Sequence, residues 1–147
     1  MNVNKEGIDL IKSFEGCVLN AYLDSVKVPT IGWGATFYQN GSKVKIGQTI
    51  TSSQADELFM YHLDLFSKRI KPLIKVNLND NQFSAITSFA FNLGLGNLQS
   101  STLLKKLNIN PSDASIKQEF LKWNKAGGKV LKGLTRRRIA EANLYFK

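Results

Sequence analysis

Residues 81 to 104 contain no charged side chain, and within them "NQFSAITSFAFNLG" is apolar around nearly the whole circumference of a helix. A helix with no polar face cannot rest on a surface, so it has to be enclosed either by lipid or by other parts of its own chain. Lipid does not suit it, because Asn81, Gln82, Asn92, Asn97, Gln99 and six Ser or Thr residues leave the stretch too polar for a membrane span. The remaining solution is a central helix wrapped by its neighbours, and the chain is expected to be soluble. With 147 residues, 43% of them hydrophobic, it can bury about two-thirds of its unfolded surface, which fits a single domain of residues 1–147.

Local signals divide the rest. Ile8, Ile11 and Phe14 share one helical face and Gly16 follows as a stop, which predicts a first helix ending near Glu15. From Cys17 to Gly47, β-prone residues alternate with Pro29, Gly32, Gly34, "NG" and Gly47, the pattern of short antiparallel strands. "TSSQADEL" then opens a long helix with Ala55, Leu58, Phe59, His62, Leu65, Phe66 and Ile70 on one face, closed by Pro72. Asn79 or Asp80 caps the central helix, Gly94 stops it, and "NLGLGNL" reads as a turn between helices. Further helices are expected at about 98–107, 112–125 and 135–146. The fold class is therefore α+β. A small antiparallel β lobe (about 15–50) follows the first helix, and a long helix (about 52–71) joins it to a larger helical lobe (about 1–14 and 72–147).

Charge is lopsided. The 20 basic and 11 acidic residues give +9; the stretch from Lys117 to Lys147 holds 9 and 2, and the first 116 residues hold 11 and 9. A polyanionic partner facing the C-terminal quarter follows, whether nucleic acid, anionic glycan or anionic membrane. The single Cys17 allows no internal disulfide, and the charged N-terminal stretch "MNVNKEGIDLIKSFEG" lacks the apolar core of an export signal. His62 is the only histidine and lies on an apolar stripe, so a structural position is expected, with no metal and no Ser-His-Asp set.

Chemistry concentrates in "FEGCVLNAYLDSVKVPTIGWGAT". Glu15 falls at the C-terminal end of the first helix, where the backbone dipole penalises an ionised carboxylate and favours the proton-holding form that a general acid needs. It could equally be a solvated residue on a fraying end. Asp24 and Thr30 flank a turn, and a hairpin would bring carboxylate and hydroxyl together, able to hold one water; as isolated residues they would be a turn residue and a strand residue. An acid facing a positioned water is the arrangement of an inverting glycosidase.

The spacing Glu15-x8-Asp24-x5-Thr30 followed by "TIGWG", with "NQFSAITSFAFNLG", "STLLKKLN", "WNKAGGKVLKGLTRRRIAE" and the late "LY" in order, resembles the phage-type lysozymes, the endolysins of T-even and lambdoid phages, in their lambdoid branch. The resemblance covers nearly the whole chain. It implies a lysozyme-like fold and a cofactor-free peptidoglycan hydrolase that cleaves the β-1,4 bond between N-acetylmuramic acid and N-acetylglucosamine, with inversion, for host lysis. Glu15 would be the general acid, with Asp24 and Thr30 positioning the water. Phe91 and Asn92 would line the cleft floor, with Ser101, Thr102 and Arg137 as glycan contacts; core packing is the other reading of Phe91. Members commonly carry Gly where Lys27 stands and His where Ala35 stands.

The resemblance also implies synthesis in the host cytoplasm and passage to the periplasm or wall after a separate pore-forming protein acts. A monomer is expected, with peptidoglycan glycan strands as the partner rather than nucleic acid. The basic C-terminal region, with "FLKW", "VLKGL" and "LYF" interleaved, is a candidate for contact with an anionic outer membrane. A lytic transglycosylase and a basic non-catalytic wall- or nucleic-acid-binding domain remain as alternatives.

Overall fold

The computed structural model describes all residues, Met1–Lys147, in two compact units. One comprises Met1–Ile11 with Phe66–Lys147, the other Lys12–Leu65, so the chain passes from one to the other inside two of its helices, α1 (Lys5–Glu15) and α2 (Ser52–Ile70).

In the larger unit, α3 (Asp80–Leu93) is the central helix, and every residue from Phe83 to Ala90 is buried. Its start is set by Asn79, whose side chain accepts from Gln82 N at 2.8 Å while Gln82 Oε1 accepts from Asn79 N at 2.9 Å. That reciprocal cap satisfies backbone donors that a helix otherwise leaves open. Around α3 pack Leu98 of α4 (Leu95–Ser100), Leu103, Leu104 and Leu107 of α5 (Thr102–Ile109), Phe120 of α6 (Ile116–Leu121), and Leu144 and Tyr145 of α7 (Lys132–Tyr145). Gly7 of α1 is forced by proximity: a Cβ there would lie 2.5 Å from Ser84 Cβ.

Two features differ from the sequence expectations. "NLGLGNL" contains a helix, α4, and not only a turn, because Leu98 is drawn fully into the core; Ser101 then adopts an extended backbone and splits the expected single helix in two. Between the helices expected at 112–125 and 135–146, Gly127 and Gly128 form the positive-φ turn of a short hairpin between β3 (Lys125–Ala126) and β4 (Lys129–Val130). Accordingly α6 is shorter than 112–125, and α7 begins earlier than 135.

The smaller unit carries an antiparallel hairpin of β1 (Val18–Leu23) and β2 (Pro29–Gly32), paired Tyr22 with Thr30 and Leu23 with Pro29. Its core is Ile31, Ala35, Val44 and Leu58, with Ala21, Tyr38 and Ile50 packed against it. Ala35 pairs back onto Ile31 through two backbone bonds of 2.9 Å, across a turn in which Gly32 and Gly34 both take positive φ. A buried methyl thus occupies the place where a histidine is expected.

Candidate active site

The hairpin turn ties Asp24 and Thr30 to the backbone of one residue, Val28. Asp24 Oδ1 accepts from the backbone N–H of Val26 (2.9 Å) and of Val28 (2.8 Å). The Val28 carbonyl in turn accepts from Asp24 N at 3.0 Å and from the Thr30 hydroxyl at 2.8 Å. Two consequences follow from donor and acceptor inventory. Asp24 Oδ1 is committed to the hairpin, while Oδ2 carries no protein hydrogen bond. The Thr30 hydroxyl has spent its proton on Val28, so its oxygen offers only lone pairs. The turn closes through Lys27, which adopts φ +63, the left-handed conformation that glycine takes at little cost. The chain therefore keeps the turn geometry despite the lysine.

Glu15 ends α1, is partly buried, and is followed by Gly16 at φ +69, whose N–H closes on Lys12 O at 3.3 Å. Its Oε2 lies 3.5 Å from where a Cβ on Gly34 would stand, so the loop after β2 runs against the carboxylate. Beside it is a cluster that the sequence did not suggest. Asp56 of α2 accepts through Oδ1 from Lys12 Nζ at 3.1 Å and from the Trp33 indole N–H at 3.0 Å. Lys12 Nζ also sits 5.0 Å from the centre of a Trp33 ring and 5.3 Å from that of Phe59. The Trp33 hydrogen bond, then Lys12, hold the Asp56 carboxyl below its usual range. Partial burial of its sulfur, then the charge of Asp56, push the Cys17 thiol up, away from the thiolate a nucleophile requires.

Glu15, Asp24 and Thr30 all belong to the Lys12–Leu65 unit, whereas the expected glycan contacts belong to the other. There, Phe91 is half-buried and packs on Phe66 with ring centres 5.2 Å apart. Asn92 is exposed, its Oδ1 held by Arg138 Nη2 at 2.8 Å, and Thr102 is exposed at the start of α5. The other two are enclosed. Ser101 is only 2% exposed, and its hydroxyl is used twice, donating to Leu98 O (2.7 Å) and capping α5 by accepting from Leu104 N (3.1 Å). Arg137 is 3% exposed and bonded to Glu141 (3.3 Å) and to the Ser88 carbonyl (3.2 Å). A helix cap engages the first side chain and a buried ion pair the second.

His62 is buried, with Nε2 2.8 Å from the Phe37 carbonyl and its ring edge-on to Phe37 and Tyr61. Burial holds its pKa below the usual value. No group of three or more His, Cys, Asp or Glu side chains is arranged to hold a metal.

Comparison with known proteins bears on this geometry. The family model described as phage lysozyme matches residues 12–141. The chain is 44% identical over 147 residues to an endolysin of Bacillus phage B103, covering 99% of this chain and 54% of that protein. It spans about half the length of that relative and of the Bacillus phage PZA endolysin, 55% of which it covers. Among solved structures, an endolysin from Escherichia coli O157:H7 phage FAHEc1 superimposes with a TM-score of 0.89 at 34% identity, covering 100% of this chain and 94% of that one. A P22 lysozyme mutant superimposes with a TM-score of 0.86 at 37% identity, covering 100% and 99%.

Proposed function

The chain belongs to the phage lysozyme family, and from that premise we propose that it is a peptidoglycan hydrolase of host lysis, cleaving the β-1,4 bond between N-acetylmuramic acid and N-acetylglucosamine with inversion. The observation that carries this reading is the proton inventory at the hairpin. An attacking water has to point a lone pair at the anomeric carbon, and it does so best when both of its protons are accepted elsewhere. Asp24 Oδ2 and the Thr30 oxygen, on side chains that bond the Val28 N–H and the Val28 carbonyl respectively, are two acceptors of that kind. Asp24 takes up the proton the water sheds, and Thr30 orients it. Glu15 gives its proton to the departing glycosidic oxygen, so the charge that develops there is neutralised as the bond breaks. Neither step requires a cofactor. Phe91, Asn92 and Thr102 are the residues of the helical unit proposed to meet the glycan.

Digestion of purified peptidoglycan with mass analysis of the muropeptides tests the reaction. Hydrolysis adds one water at each new reducing end, and a product that is first the α-anomer by NMR reports inversion. Anhydro ends would instead identify a transglycosylase, and absence of cleavage a binding module. Glu15→Gln is expected to abolish cleavage; retained activity would remove Glu15 from its role.

The basic region supplies the approach to the wall. Lys125, Lys129, Lys132 and Arg136 are exposed and form no ion pair, whereas Arg137 and Arg138 are buried against Glu141, and Lys122 is paired with Glu119. Of the apolar residues interleaved there, Phe120, Leu144 and Tyr145 are core residues, while Val130, Leu131 and Phe146 are exposed. The unpaired surface cations would meet anionic wall polymers through charge, and binding to walls is expected to weaken with added salt; contact of the same region with an anionic outer membrane stays part of the proposal. No helix is long and apolar enough to cross a membrane; delivery by a separate pore-forming protein is part of this proposal.

A further inference from the structure

The proposed machinery is divided between two elements: the acid ends α1, while Asp24 and Thr30 belong to the β1–β2 hairpin. Inverting hydrolysis works only if the acid and the held water stand on opposite sides of one sugar at a set separation. A single oxygen atom of a third element spans the two. Asp56 Oδ1, on α2, accepts from Lys12, one helical turn before Glu15, and from Trp33, three residues beyond Thr30 in the loop that runs against the Glu15 carboxylate. Lys12 closes the triangle by lying over the Trp33 ring.

We propose that Asp56 is a positioning residue: its Oδ1, holding Lys12 and Trp33 together, sets the separation of Glu15 from the Asp24–Thr30 pair. This rests on the glycosidase reading above. Asp56 touches neither the acid nor the hairpin carboxylate, so its effect on turnover is indirect.

Energetics separate this role from a merely structural one. The Asp56 side chain is 53% exposed and that of Lys12 26%, and an ion pair so placed contributes little to stability, because water screens it and two flexible side chains are ordered to make it. Geometry is more sensitive: a misplacement of about 1 Å at a reacting centre costs on the order of 100-fold in rate. A brace of this kind should therefore matter far more to turnover than to folding.

The test compares wild type, Asp56→Ala, Asp56→Asn, Trp33→Phe and the double variant Asp56→Ala with Trp33→Phe. Initial rates are measured on solubilised glycan strands across a concentration series, beside urea unfolding of each protein. Asp56→Ala is expected to lower kcat by about 10- to 100-fold with KM changed less than about 2-fold and a nearly unshifted unfolding midpoint. Asp56→Asn, which keeps an acceptor for the indole, should recover part of the loss. The double variant should be no worse than Asp56→Ala alone, since both changes open the same link. An Asp56→Ala enzyme with wild-type kcat, a loss confined to KM, or a loss matched by the unfolded fraction would each overturn the assignment. Wild type failing to cleave would defeat the glycosidase reading and the brace with it; a cleaving wild type with an indifferent Asp56→Ala defeats the brace alone.

Discussion

Replacing Glu141 by Gln tests the most enclosed charge in the protein. Glu141 is fully buried on α7; its Oε2 accepts from Ser88 Oγ (2.5 Å), Arg137 Nε (3.3 Å) and Arg138 Nη2 (3.2 Å). Its Oε1 lies 2.8 Å from Arg138 Nε as an ion pair that is not aligned as a hydrogen bond. Burial pushes the Glu141 carboxyl up, and the guanidiniums of Arg138 and Arg137 draw it back. Because those guanidiniums cannot shed their protons, the carboxylate stays ionised near neutral pH. Gln conserves the volume but removes the charge and turns an N–H₂ towards donors, leaving the buried Arg138 without a counter-ion. Removing one partner of such a pair costs about 3–5 kcal/mol. At roughly 2–4 °C per kcal/mol for a chain of this size, the midpoint should fall by about 6–20 °C. Calorimetry and urea unfolding at pH 7 would measure it, with Glu119→Gln as the control. Glu119 is also buried, but its partners Lys106 and Lys122 reach solvent and can be rehydrated in place. If Glu141→Gln lies within about 1 kcal/mol of wild type, or no lower than Glu119→Gln, the reasoning about the uncompensated guanidinium is wrong.

Lys27→Gly should relieve the φ +63 backbone of the β1–β2 hairpin, a strain of about 1–2 kcal/mol partly offset by glycine's greater unfolded entropy. A net gain of up to about 1 kcal/mol by urea unfolding, with unchanged cleavage, is expected, while Lys27→Val should lose stability. Gly7→Ala, although it improves helix propensity, drives a Cβ into Ser84 and should destabilise by about 1–3 kcal/mol in the same assay. Because burial lowers the folded-state pKa of His62, its neutral form stabilises the protein above its unfolded value of about 6.5. That contribution is lost as pH falls below it towards the folded value. The difference in melting temperature between wild type and His62→Gln should therefore shrink from pH 7.5 towards pH 5 (both about those values), and a constant difference would contradict the sign.

Much of this protein was legible in its sequence because the relevant physics is local. Gly16 after a three-residue apolar stripe, Asn79 with Gln82 three positions on, and Pro72 after Ile70 act within a turn of backbone, and α1, α3 and the end of α2 fall where those signals point. The hairpin that carries Asp24 and Thr30 is local too, since both side chains bond the backbone of Val28 between them. Short elements with one apolar anchor, α4 with Leu98 and the β3–β4 hairpin, lacked the period that would have announced them.

Only the tertiary structure decided the side-chain partnerships. Ser101 caps the start of α5, and Arg137 pairs with Glu141, partners that no local pattern announces. Asp56 looks like any acidic residue of an exposed helix until Lys12, 44 positions away, and Trp33, 23 away, close on the same oxygen. Ser88 and Glu141 meet across 53 residues. Propensity and capping reach a few residues along the chain, whereas the choice of partner for a charge or hydroxyl is made by whatever the packed core brings within about 3 Å of it.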